Sequence, residues 1–99
     1  MMASVKHFTI YCLDVPNSAP LRQQFVEEHK AYLLTAPFKI LISGPLLEED
    51  RLTINGSCFI VEAESKAQVM AFNRNDPFTR AGIWSHVEIR DFAKWRDNR

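Results

Sequence analysis

Apolar residues recur along this chain with two periods. From Val5 to Leu13 they alternate: Val5, Thr9, Tyr11 and Leu13 fall on one side with His7, and Phe8, Ile10 and Cys12 on the other with Lys6. Both sides are largely apolar, so the pattern predicts a strand covered on both faces. Asp14-Val15-Pro16-Asn17-Ser18 ends it with turn chemistry, and Asn17 or Ser18 can cap a following helix. Ala19 to Ala36 has helical spacing. With Leu21 at zero, Tyr32 falls near ~20°, Phe25 near ~40°, Leu33 near ~120° and Val26 near ~140°. His29, near ~80°, and Arg22, near ~100°, interrupt that stripe. Pro37 stops the helix.

Lys39 to Leu47 is a second strand, followed by the solvated turn Glu48-Glu49-Asp50-Arg51. Asn55-Gly56 carries a tight-turn signal before a third strand, Ser57 to Glu64, with Phe59, Val61 and Ala63 on one face and Cys58 and Ile60 on the other. Ser65 caps a second helix to about Asn73. Asn75-Asp76-Pro77 opens a turn, and Phe78 to Ala81 forms a short helix ending at Gly82. Ile83 to Ile89 is the last strand, and a tail with Trp95 follows, docked on the surface or exchanged with a partner. The order β-α-β-β-α-β is the split βαβ plan, an α+β ferredoxin-like fold with the first and third strands central to a four-stranded antiparallel sheet. The helices cover one face of that sheet. Phe8, Ile10, Cys12 and Ile60 are expected on the other, an apolar patch that a second copy would cover in a two-fold homodimer.

The length, 99 residues, fits one domain spanning residues 1–99. Lys+Arg and Asp+Glu number 12 each, so no basic excess is present to neutralise phosphates, and nucleic acid is not an expected partner. No apolar run reaches the ~20 residues of a membrane span, and Met1 to Lys6 lacks a leader pattern. Cys12 and Cys58 lie in apolar strand runs and read as buried thiols rather than a disulfide. A reducing cytoplasm suits that reading. His7, His29 and His86 have no metal-ligand spacing, and no nucleotide-binding loop or nucleophile elbow occurs.

His29 is the most informative polar residue. In a buried stripe it is either a core histidine satisfied by one hydrogen bond or a general acid–base, because imidazole titrates near neutrality. The second role needs an orienting carboxylate. Asp76 can supply it, and can equally be a turn or N-cap aspartate before Pro77. Ser43-Gly44-Pro45 allows close backbone approach and so can line a pocket, or is an ordinary strand-end turn. Arg22 and Arg80 are candidates for a substrate carboxylate, or plain surface residues.

These segments resemble the YCII-related (YciI-like) family of the dimeric α/β barrel superfamily. Ser43-Gly44-Pro45-Leu46 is similar to its (A/G)GPL segment, and Gly56-Ser57 through Glu64 to its GS…VxEA strand. Asn75-Asp76-Pro77-Phe78-Thr79-Arg80-Ala81-Gly82 resembles its DPF/Y-x-x-AG motif, followed by Val87 to Arg90. His29-Lys30-Ala31-Tyr32-Leu33 resembles H-x-x-YL. The resemblance covers roughly residues 5–92. It implies a dimeric α/β barrel and a histidine–aspartate site, here His29 and Asp76. Some relatives are implicated in dehydrohalogenation of chlorinated aromatic compounds. Family members often carry an arginine one turn before the histidine, where this chain has Val26. The function expected is cofactor-free acid–base catalysis, of lyase, isomerase or dehydrohalogenase type, on a small organic molecule. The alternative is a non-catalytic homodimer that binds a small ligand or serves an accessory role.

Overall fold

The computed structural model describes residues 5–99. Of the leader reading on Met1 to Lys6, residues 1–4 lie outside that range. The elements follow the order β1 (Lys6–Asp14), α1 (Ala19–Leu33), β2 (Lys39–Leu47), β3 (Ile54–Ala63), α2 (Lys66–Arg74), α3 (Pro77–Arg80) and β4 (Trp84–Phe92). The four strands form one antiparallel sheet in the order β2-β3-β1-β4, with β1 and β3 in the centre as the pattern requires.

Register decides which apolar set meets the helices. Phe8 pairs with Val61 and Ile10 with Phe59 across β1 and β3, so these four side chains share one face. Phe8, Ile10, Cys12, Phe59, Val61 and Ala63 are all buried there with Val69 of α2, and Leu33, Phe38, Ile40, Trp84 and Ile89 pack round them. This corrects the expectation that Phe8, Ile10 and Cys12 belong to the uncovered face. Ile60 does lie there, opposite Thr9, with Tyr11, Ile42 and Phe92 brought to the same side by their partners Cys58, Ile60 and His7. Tyr11, Ile42 and Phe92 are exposed.

Three local readings also change. The Ser18 hydroxyl donates to Asp14 Oδ2 (2.6 Å) instead of capping α1. The helix stops at Leu33, three residues early, because Thr35 and Ala36 donate to the Tyr32 and Leu33 carbonyls in tight turns. Asn55-Gly56 is strand, not turn. The hairpin turns earlier, where the Asp50 carboxylate accepts the Leu52 and Thr53 amides and the Thr53 hydroxyl and Glu48 N–H donates to the Thr53 carbonyl. Gly56 then has a packing role: a Cβ there would run into the Cys12 carbonyl oxygen and the Leu46 side chain. Gly56→Ala is expected to cost about 1–3 kcal/mol, as overpacking does. Thermal denaturation checks it, and an unchanged midpoint would refute the contact.

Both cysteines are free thiols, Cys12 buried and Cys58 half-buried. Burial pushes the Cys12 thiol up from its ordinary 9.0 to about 12, against a lowering contact from the Asn73 amide. The folded state therefore holds this proton more tightly than the unfolded chain does. Its contribution to stability is fully present below pH 9 and is lost as the pH rises towards 12. Denaturant titrations between pH 8 and pH 11 should show that fall, and Cys12→Ala should flatten it.

Candidate functional site: a buried histidine–aspartate pair beside an open cleft

The site is assembled where α1 lies across α3. His29 is the buried residue of α1. Its Nδ1 lies 2.8 Å from Asp76 Oδ1. Asp76 is also the N-cap of α3, and the same Oδ1 accepts the Phe78 amide at 2.8 Å. Pro77 begins that helix, where its missing N–H is not needed. The cap and the orienting carboxylate are thus one group, 2 % exposed. A carboxylate only accepts, which puts the imidazole proton on Nδ1 and leaves the Nε2 lone pair free.

Aromatic packing fixes the ring plane. The imidazole stacks on Phe78, with centroids 3.9 Å apart and planes at 5°, and meets Phe59 edge-on at 6.3 Å. Phe78 is held in turn by Trp84, edge-on at 5.5 Å. Trp84 Nε1 donates to the Thr79 hydroxyl (2.8 Å), which donates to the Asn73 carbonyl (2.6 Å).

His29 opens on a cleft of about 230 Å³, lined also by Arg22, Val26, Lys30, Ser43 and Gly44. The structure therefore brings His29, Asp76, Arg22, Ser43 and Gly44 to one place, with Asp76 behind the imidazole rather than in the cleft wall. Arg80 stands apart: it is exposed and its guanidinium donates to Asn75 Oδ1 at 2.9 Å. Arg22 is largely committed to the fold. Its Nε and Nη2 donate to the two Asp14 oxygens (2.6 and 2.9 Å), and Nη2 also reaches the Gly56 carbonyl and the Ser57 hydroxyl. Nη1 takes no part in these bonds. The guanidinium carbon lies 5.2 Å from the Phe78 ring centroid and 5.4 Å from that of Trp84, close enough for cation–π attraction.

Sequence reasoning missed Asp14, Ser57 and Lys30. Asp14 reads as a turn residue and Ser57 as a strand residue, and only the fold brings them to Arg22. Phe78 stood in a motif, but its contact with the imidazole had no sequence signal. Among the described residues no three His, Cys, Asp or Glu side chains converge as a metal cage requires. Among them, too, no helix is long and apolar enough to cross a membrane.

Comparison with known proteins gives the family and the fold. The chain is 30% identical over 94 residues to protein YciI of Escherichia coli, covering 88% of this chain and 96% of that one. In structure it is similar to the 5-chloro-2-hydroxyhydroquinone dehydrochlorinase TftG of Burkholderia phenoliruptrix, solved with 2,5-dihydroxybenzoquinone. The TM-score is 0.78 at 35% identity, over 88% of this chain and 93% of that one. A putative antibiotic biosynthesis monooxygenase from Bacteroides thetaiotaomicron shares the fold alone, with a TM-score of 0.58 at 11% identity over 97% of this chain and 94% of that one. The YCII-related domain matches residues 7–93. With that match and the 30% identity to YciI, this chain belongs to the YCII-related domain family.

Proposed function

We propose that this protein is a cofactor-free acid–base enzyme acting on a small hydroxylated ring, with His29 as the base. The observation that carries the reading is the 2.8 Å bond from His29 Nδ1 to a buried carboxylate, beside an open cleft. One imidazole nitrogen is anchored and the other is left to exchange a proton with a ligand. Asp76 holds the tautomer and balances the charge when His29 accepts that proton. Arg22 Nη1 and Lys30 supply positive charge for an oxyanion formed in the cleft. The TftG likeness supports a chlorinated hydroxyhydroquinone as the first substrate to try. In such an elimination one hydroxyl proton moves to the chlorine-bearing carbon. A second hydroxyl proton then passes to the base as chloride leaves with the C–Cl electron pair, and a hydroxyquinone remains.

The protein acts as a homodimer on this reading. Tyr11, Ile42, Ile60 and Phe92 on the face away from the helices support it, since that apolar surface suits a second copy. Chloride release from 5-chloro-2-hydroxyhydroquinone tests the catalytic assignment. Release that depends on His29 is the expected result. Saturable binding of 2,5-dihydroxybenzoquinone with no chloride released would return the protein to the ligand-binding class.

A further inference from the structure

Two features that the acid–base reading leaves unused have matching chemistry. The first is the tail after β4. Trp95 is 94% exposed, the most exposed large apolar side chain among the described residues. Around it the tail carries three cations, Lys94, Arg96 and Arg99, against one acid, Asp97; Asp97 pairs with Lys94 (3.8 Å) and Arg99 (2.7 Å), and Arg96 has no ion pair among the described residues. The tail returns along the sheet face away from the helices, where it lines a cavity with Ile42, Ile60 and Phe92 and Arg99 Nη1 donates to the Leu41 carbonyl at 2.8 Å, while Trp95 stays in solvent; seating the tail in a second copy would free that face for the homodimer. An exposed tryptophan is costly, since a buried one removes about 150–250 Å² from water.

The second feature is the β2–β3 hairpin. Glu48, Glu49 and Asp50 stand against one cation, Arg51, and Leu52 beside them is 83% exposed. Asp50 is used within the turn. The Glu48 and Glu49 carboxylates have no ion pair among the described residues. Between this hairpin and α1 runs a groove of about 500 Å³, lined by Ala19, Val26, Leu52, Ile54 and Phe78. It shares Arg22, Val26, Ile54 and Phe78 with the His29 cleft, so the two are continuous. One wall of the groove is the hairpin that carries Glu48 and Glu49, so it offers apolar contact to a tryptophan and negative charge beside it to a basic tail.

We propose that the tail of one copy seats Trp95 in the groove between α1 and the β2–β3 hairpin of a second copy, closing the His29 cleft from the side. In this arrangement Arg96, the tail cation with no ion pair among the described residues, faces Glu48 and Glu49, with Lys94 next to it. In a two-fold pair each copy gives one tail and receives one, so both contacts form together. The inference rests on the homodimer put forward above and adds that each active site is completed by its neighbour.

Light scattering and cysteine cross-linking test it together. In full-length protein carrying Cys58→Ser, with Leu52 and Trp95 left in place, the pair Gln23→Cys on the groove and Ala93→Cys beside Trp95 is expected to give a covalent dimer on mild oxidation. Both positions are exposed, so the fold tolerates the changes. Lys94→Glu with Arg96→Glu should slow that cross-link about tenfold, and adding Glu48→Lys with Glu49→Lys should restore it. A dimer by light scattering with no cross-link between chains overturns the tail contact and leaves the sheet-face dimer standing. A cross-link confined to one chain overturns it equally, as does charge reversal that the second pair fails to rescue. A monomer by light scattering sinks the dimer itself and the tail contact with it.

Discussion

His29→Ala is expected to lower turnover of a confirmed substrate by about 10²–10⁴-fold, the usual contribution of a positioned general base. Asp76 separates two roles that a simple deletion would mix. Its Oδ1 accepts both the His29 ring and the Phe78 amide. Asparagine keeps an oxygen there and is itself a good helix cap. Asp76→Asn therefore preserves both hydrogen bonds and removes only the negative charge that balances the imidazolium. A loss of roughly tenfold to a hundredfold is expected, smaller than that of His29→Ala. Asp76→Ala removes the cap as well, and should lose stability along with activity. Chloride release per molecule of folded protein, with the fold checked by circular dichroism, gives the comparison. Full activity in His29→Ala would end the acid–base assignment, and a full loss of stability in Asp76→Asn would make the pair structural.

Phe78→Ala should be the most damaging single truncation for the fold. Phe78 is 1 % exposed and supports three neighbours at once: the His29 ring stacked on it, Trp84 edge-on, and the Arg22 guanidinium over its face. Removing a buried phenylalanine costs about 3–5 kcal/mol from transfer and cavity together. For a domain of this size each kcal/mol moves the midpoint by about 4–8 °C, so a fall of more than about 12 °C is expected. Phe78→Leu refills part of the space and should recover part of the loss. Activity should suffer in Phe78→Leu even where the fold survives, because no flat surface remains to fix the imidazole plane. A midpoint within about 2 °C of the parent protein would show that the stacked ring contributes little.

How much of this was legible in the chain depends on how local each signal is. The β2 span and the Ser65 cap of α2 are decided within a few residues, by alternation and by a hydroxyl that accepts an amide, and the short helix read at Phe78 to Ala81 lies one residue late, since Pro77 begins it. His29 was visible as a polar residue inside an apolar stripe, and the histidine–aspartate pairing came from motif resemblance. Two signals misled because they were read locally. Asn55-Gly56 has turn chemistry, but Asp50 had already closed the hairpin, and the glycine is required by the Cys12 carbonyl instead. Arg22 and Arg80 look alike in sequence. One is bound to Asp14 beneath the cleft and the other extends to Asn75 at the surface.

The sequence by itself determined the element order, the central strands and the residue types of the site. Alternation sorted the first strand into two apolar sets, but it carries no sign: it cannot say which set meets the helices. That was left to the tertiary structure, where the pairing of Phe8 with Val61 and of Ile10 with Phe59 puts those residues under α1 and α2 and leaves Tyr11 and Ile60 on the opposite face. The same holds for the dual role of Asp76, whose two donors come from residues 47 and 2 positions away along the chain. The near donor belongs to the local chemistry of a helix cap, and the far one exists only because packing lays α1 across the start of α3.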